Sequence, residues 1–334
     1  MPAPAMKDFD LDPEEVRRLG RVAADVVAEH RARLTDRPVF GKVGTDAARF
    51  DIPLPETGRP ADEIIAFVRE HVMPRPMGNS HPRFFGFINA TADPLGTVAD
   101  YLASAMNPNC WGGDHAAIHV ENRVIRWLCE LLGFPADAQG ILASGGSMAN
   151  FNALAAARRA MTPGNVREDG LGSDPRLVVY ASDQVHSCVD KAVDLLGIGT
   201  RYLRKIPCDD AFRLPMDALE RAVAEDRAAG LRPAIVVGNA GTVNTGAVDP
   251  LDAIADFCAR EKLWFHADGA YGAMARIAPS VAAAFRGLER ADSIAADPHK
   301  WLYVPYEAGA TLVREDGLGS EPRLVVYASD QVHS

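Results

Sequence analysis

Two ionisable residues stand where their chemistry could be joint. Lys300 lies in Ala295-Ala296-Asp297-Pro298-His299-Lys300-Trp301, between a proline turn and an aromatic. Thirty-two residues upstream, the apolar run Leu263-Trp264-Phe265-His266-Ala267 ends in Asp268, followed by Gly269, Ala270 and Tyr271. Taken alone, such a lysine is ordinarily a solvated surface group. Such an acid ordinarily caps the next helix. As a pair they offer an amine that can condense with a carbonyl and a carboxylate that can hold a positive nitrogen. In open α/β sheets, ligands sit at the carboxyl ends of strands, where Asp268 falls.

Two further segments extend the set. In Ile141-Leu142-Ala143-Ser144-Gly145-Gly146-Ser147-Met148-Ala149-Asn150, two glycines and a serine open a helical pattern that continues through Leu154 and Ala157. Free backbone N–H groups, the positive helix end and a hydroxyl together suit a phosphate, although a single such turn is more often only a cap. In Tyr180-Ala181-Ser182-Asp183-Gln184-Val185-His186 a strand runs out and a histidine begins the next helix, where an imidazole can stack on a flat ligand. Amine, carboxylate, phosphate cradle and imidazole are what pyridoxal 5′-phosphate asks of a protein: a lysine for the aldimine and an acid for the pyridine nitrogen.

The rest of the chain has to position these groups. Its 334 residues, 48% hydrophobic and 24% charged, suffice for a large core or two domains. A net charge of −10 argues against a nucleic-acid partner. No stretch approaches the roughly 20 apolar residues of a membrane-spanning helix, and the N-terminus lacks the basic and apolar regions of a signal peptide, so a cytoplasmic location is expected. Cys110, Cys129, Cys188, Cys208 and Cys258 are odd in number and never form a C-x-x-C pair, which suggests neither a disulfide framework nor a metal site. Asp12-Pro13-Glu14-Glu15 has the form of a helix start. A second helix is expected over 61–72, ended by Pro74 and Pro76, and the two early helices read as an arm. From about Pro94, helical patterns alternate with β-rich runs at 177–180, 234–237, 263–265 and 293–296. That alternation predicts an α/β fold with a mainly parallel sheet and helices on both faces.

One feature is not ordinary architecture. Residues 166–187 recur at 313–334 with a single change, Asp174 to Glu321. Structural repeats drift further and come in arrays of about three or more. The second copy therefore reads as a duplication or assembly error standing where the native C-terminus would be.

The ordered set SGGS, SDQVHS, HADGAYG and DPHKWL resembles the group II pyridoxal-phosphate-dependent decarboxylases, the family of aromatic-amino-acid and glutamate decarboxylases. His81-Pro82-Arg83-Phe84-Phe85-Gly86-Phe87, Trp127-Leu128 and Gly241-Thr242 fit it too, from about Glu14 to Arg314. The resemblance implies a fold type I large domain over 94–314, preceded by a helical arm and substrate-pocket segment over 1–93. The small C-terminal domain is expected to be absent, with 315–334 as the copied segment. It further implies a homodimer acting on an aromatic or acidic L-amino acid as small-molecule substrate; composition adds the expectation of no nucleic-acid and no membrane partner.

Carried over motif by motif, Lys300 resembles the aldimine lysine, Asp268 the pyridine partner and His186 the stacking histidine. Gly146 and Ser147 would hold the phosphate, with Ala270 beneath the ring, Asn239 near its phenolic oxygen, and Asp297 and His299 beside Lys300. Phe87, Ile88 and Ala90 would line the substrate pocket. The aromatic decarboxylases have an asparagine at the position of Asp297, and an acid there would repel the phosphate unless turned away. Asn239 is often a threonine in the family, and Ala90 replaces a polar threonine, so substrate contacts do not transfer. The competing readings are an aminotransferase or carbon–carbon lyase of the same fold, or an inactive remnant that keeps the cofactor pocket.

Overall fold

The computed structural model describes residues 11–314 apart from 55, 111–113 and 173–175, and omits the side chain of Asp46; the copied segment 315–334 lies outside the described residues. The chain divides into two compact units, Met1–Thr91 and Ala92–Ser334. In the first, α1 (Pro13–Ala32) starts as its sequence predicts, with the Asp12 carboxylate accepting from Glu15 N at 2.9 Å. α2 (Ala61–Phe67) runs on through one π turn (Val68–Val72), so the helix expected over 61–72 is continuous but changes its winding. The Arg18 guanidinium reaches both Glu15 and Asp62, and Arg69 pairs with Glu29 at 2.7 Å. These links are exposed and screened by water, so they add little to stability. Neither helix buries a residue completely.

The second unit is built on one sheet. Its strands are β1 (Gln139–Ala143), β2 (Leu177–Ser182), β3 (Leu203–Ile206), β4 (Arg232–Asn239), β5 (Trp264–Gly269), β6 (Ser293–Ala296) and β7 (Gly309–Val313). They lie in the order β1-β7-β6-β5-β4-β2-β3. Among the described strands only β7 runs against its neighbours, β1 and β6; the other strand pairings are parallel. Since β7 opposes both, β1 points the same way as β6, and β1, β2, β4, β5 and β6 all end at one edge. The helices are α3 (Pro94–Met106), α4 (Ala116–Leu132), α5 (Gly146–Met161), α6 (Val166–Asp169), α7 (Ser187–Leu195), α8 (Met216–Ala228), α9 (Leu251–Glu261) and α10 (Pro298–Trp301).

Central strands are buried on both faces, which is why they read as unbroken apolar runs rather than alternating ones. All six residues of β2 and of β5 are buried. Alternate side chains still serve different layers. Val178, Tyr180, Phe265 and Ile294 join Leu128 of α4, Leu219 of α8 and Ile254 of α9 in one core. Leu177, Val179, Ile235 and Trp264 join Leu154 of α5 and Val189 of α7 in the other. α5 crosses the second face, packing on β1, β4, β5, β6 and β7.

Within this layer sits a fully buried histidine, His266, between Ser293 Oγ at 2.9 Å and Asn150 Oδ1 at 2.8 Å. Burial pushes its pKa down to about 4, against the opposing pull of Asp268. The unfolded chain therefore protonates first, near pH 6.5, so this contribution to stability is complete above that pH and lost as pH falls toward 4. We expect denaturant unfolding at about pH 4.5 to show a loss of about 2–3 kcal/mol from this residue relative to pH 7.5. His266→Gln, which keeps a donor and an acceptor but does not titrate, should remove that part of the slope. An unchanged slope would assign the acid sensitivity elsewhere.

Candidate active site

The carboxyl edge of the sheet gathers the groups singled out from the sequence. β1 ends at the Gly145-Gly146 turn that opens α5, β5 ends at Asp268 and Gly269, and β6 leads through Asp297 into α10 with His299 and Lys300. β5 and β6 are adjacent, with Asp268 opposite Ala295 in the ladder. The Asp268 and Lys300 segments are thus neighbours by strand order.

Lys300 Nζ lies 2.9 Å from Asp297 Oδ2, and the Asp297 side chain is only 1% exposed. His299 accepts from Ala308 N through Nδ1 at 2.9 Å. Its hydrogen is therefore on Nε2, which stands 3.4 Å from the same Asp297 oxygen. Asp297 Oδ1 is buried and has no hydrogen-bond partner among the described residues. The glycine turn closes against this group. A Cβ built on Gly146 would meet Asp297 Oδ2 at 2.6 Å and Ala270 Cβ at 2.8 Å, and one on Gly145, whose φ is +135°, would meet the His299 ring at 3.0 Å. Asp297 thus faces the candidate phosphate turn. The orientation that would spare a phosphate its charge is not adopted.

Asp268 is nearly buried, and its Oδ1 accepts from Asn150 Nδ2 and from Ala270 N, both at 3.2 Å. Asn150, on the second turn of α5, also donates to Gly146 O at 2.8 Å. His186 is the exposed N-cap of α7, and its Nδ1 accepts from Cys188 N at 3.2 Å. The start of α7 thus carries an exposed imidazole, with the buried Cys188 thiol behind it in the core. Burial first, then the charge of Asp268, raises the Cys188 pKa, while Lys300 opposes them.

Asn239 ends β4 beside Asp268. Its amide donates to Ser182 Oγ at 3.1 Å and to Asp249 Oδ2 at 2.9 Å, so both amide hydrogens are used within the protein. Asp249, buried with its pKa raised by desolvation, also accepts from Leu214 N and Asn239 N and so anchors the end of β4. Only the acceptor oxygen of Asn239 remains for a ligand, a poor match for a phenolate. Ser147 is exposed at the first turn of α5 and Ala270 is partly covered. Phe87, Ile88 and Ala90 belong to the N-terminal unit, where Phe87 is 78% exposed with a left-handed φ of 60°. Asn150, Ser293 and Asp249 were not singled out from sequence. Asn150 is a polar residue inside the apolar pattern of α5, and that mismatch was the signal it offered; Ser293 and Asp249 offered none.

The donor set fits pyridoxal phosphate on structural grounds: a lysine amine, a nearly buried carboxylate at a strand end, and a glycine turn too tight for side chains at a helix start. Comparison with known proteins agrees. The model of the pyridoxal-dependent decarboxylase conserved domain matches residues 45–324. The aromatic-L-amino-acid decarboxylase of Bacillus atrophaeus is 38% identical over 92% of this chain and 63% of its own length. The human acidic amino acid decarboxylase GADL1 is 33% identical over 79% of this chain and 51% of its own. The chain thus spans about half to two thirds of the length of these relatives. Among solved structures, Catharanthus roseus tryptophan decarboxylase in complex with L-tryptophan superposes with a TM-score of 0.84 at 28% identity, covering 93% of this chain and 68% of that one. Mouse CSAD in its apo form gives 0.86 at 28% identity, covering 96% and 68%. The chain has the fold type I architecture of these enzymes and belongs to the pyridoxal-dependent decarboxylase family.

Proposed function

We propose that this protein decarboxylates an aromatic or acidic L-amino acid with pyridoxal phosphate held on Lys300. The observation that carries the reading is that Asp268 at the end of β5 and the Lys300 segment that follows the adjacent β6 lie at the same sheet edge as the Gly145-Gly146 turn. When bound, the cofactor supplies an electrophilic carbonyl carbon and a ring that takes up the electron pair of the substrate's breaking Cα–carboxylate bond.

The protein's own residues have separable tasks. Lys300 must be neutral to bond to a carbonyl carbon, and Asp297 Oδ2, 2.9 Å from Nζ, can take its proton. A protonated Asp297 would also cease to repel a phosphate at the Gly146 turn and could donate to it instead. Asp268 would favour the protonated state of the ring nitrogen. A carboxylate in ion-pair contact is worth about 4 kcal/mol at an effective dielectric near 20, or about three pKa units. The exposed face of His186 is available for stacking, and Gly146 and Ser147 provide the helix-start N–H groups for phosphate. Ala270, through its position against Gly146, would set the depth of the ring. Phe87, Ile88 and Ala90 are assigned to the substrate pocket by resemblance alone.

A homodimer is part of the reading. It is supported by the apolar face of α3, where Leu95, Val98, Tyr101, Leu102 and Met106 are 53–75% exposed, more apolar surface than one helix normally leaves in water. A cytoplasmic location is supported by the five free cysteines. No described helix is long and apolar enough to cross a membrane.

Borohydride treatment of the yellow, cofactor-loaded protein should fix the cofactor to the peptide carrying Lys300, and Lys300→Ala should abolish the label. A label on another lysine would sink the assignment. Asp268→Asn should lower carbon dioxide release by about 100-fold or more, since tenfold follows from each 1.4 kcal/mol, while cofactor affinity changes by less than about tenfold. Equal turnover of the two proteins would remove Asp268 from the chemistry.

A further inference from the structure

Four side chains behind Asp268 form a chain of hydrogen bonds whose direction is forced from both ends. At one end, Trp264 Nε1 contacts Ser293 Oγ at 2.9 Å, and an indole nitrogen can only donate. At the other, Asn150 Nδ2 contacts Asp268 Oδ1 at 3.2 Å and Gly146 O at 2.8 Å, which can only accept when the acid is ionised. The Asn150 amide is therefore oriented with Oδ1 toward His266, 2.8 Å away, so His266 Nε2 must carry a hydrogen. Ser293 Oγ, 2.9 Å from His266 Nδ1, then accepts from the indole and donates its own hydrogen to the imidazole. Every bond points from Trp264 toward Asp268.

We propose that Ser293, His266 and Asn150 form a one-way relay that positions the Asp268 carboxylate for the cofactor's ring nitrogen, with His266 locked as the neutral Nε2–H imidazole. The inference rests on the functional reading above, because it names what supports Asp268 in that role. Strand geometry makes the relay possible: Trp264, His266 and Asp268 alternate onto the face of β5 that α5 covers, and Asn150 projects from α5. The relay does two things. It fixes Oδ1 through Asn150, with Ala270 N as second donor, so that Oδ2 keeps its lone pairs for a ligand. It also keeps the neighbouring imidazole uncharged, as burial requires, so that the cation answering Asp268 has to come from the ligand. The other charged or titratable groups facing Asp268 do not replace it. Cys188, from α7, is held as a neutral thiol by burial, and Lys300 and Asp297 already pair with each other.

The test uses the full chain, labelled first in its histidines and then through a ring-¹⁵N cofactor. Without cofactor, nitrogen NMR should find His266 neutral with its hydrogen on Nε2 from about pH 6 to 8. With cofactor, the ring nitrogen should stay protonated across that range in the parent. Its pKa should fall by about one unit or more in Asn150→Ala, and by less in Ser293→Ala, a small change at the far end of the relay. His266→Gln, which can pass a donor to Asn150, should keep most of the parental value. A merely structural loss would lower stability without moving the ring-nitrogen titration. Folded Asn150→Ala and Ser293→Ala proteins with the parental titration would overturn the relay, as would a charged or Nδ1–H His266 at neutral pH. Failure of the parent to take up any cofactor would overturn the functional reading and the relay's purpose with it, an outcome told apart because the His266 tautomer is read without cofactor.

Discussion

The contact on which the site depends is the ion pair of Lys300 with Asp297, made by a carboxylate that is 1% exposed. Burying charge is tolerated only where a partner and hydrogen bonds compensate it, and here one oxygen of the acid has none. The surroundings are built to hold this pair. α10 is short and starts with Pro298, so Asp297 leaves β6 in an extended conformation and Lys300 returns over it one turn later. Ala308 N fixes the His299 ring beside the pair, and the Gly145-Gly146 turn presses in from the other side because neither residue carries a Cβ.

That approach depends in turn on β7. As the one strand running against its neighbours, it bonds β1 to β6 and so brings the glycine turn after β1 to the same edge as Asp297 and Asp268. The fit is close at its start: a Cβ on Gly309 would meet Gly145 backbone atoms at 2.6 Å. The strand is also pinned to α5 from below, where Thr311 donates to Ala149 O at 3.1 Å. Sheet topology and site geometry are therefore one constraint.

What was legible in the sequence was local or repeated in several places. The start of α1 could be read because cap, proline and first-turn acids are all within four residues. The parallel strands could be read because burial on both faces leaves continuous apolar runs, although β2 and β5 run further than those runs, into Ser182 and Gly269. β3 was not read: Leu203–Ile206 is an edge strand whose middle residues, Arg204 and Lys205, face water. The copied stretch shows the limit of local reading. Val166 and Arg167 begin a helix, while in the same dipeptide further on Val313 ends β7 and Arg314 follows it, because at the second place β1 and β6 supply the hydrogen bonds. The Asn150–His266–Ser293 chain was invisible for a related reason. His266 lies more than a hundred residues from Asn150 in sequence, and a polar residue in an apolar pattern names no partner.

Asp297 shows where motif and structure have to be read together. By motif alone, an acid in place of an amide at the phosphate turn argues against the cofactor. The geometry changes the weight of that objection, because the acid is already neutralised by the amine the cofactor would engage. Bonding Lys300 to a carbonyl carbon requires the amine to lose a proton, and the nearest acceptor is the group that would otherwise oppose the phosphate. In protonated form this carboxyl, whose Oδ2 faces the glycine turn, would supply a donor where an asparagine would supply one from its amide. On the proposed reading the acid would keep the donor and add a site for the lysine's proton, so the departure from the family's usual residue is consistent with the chemistry of the family.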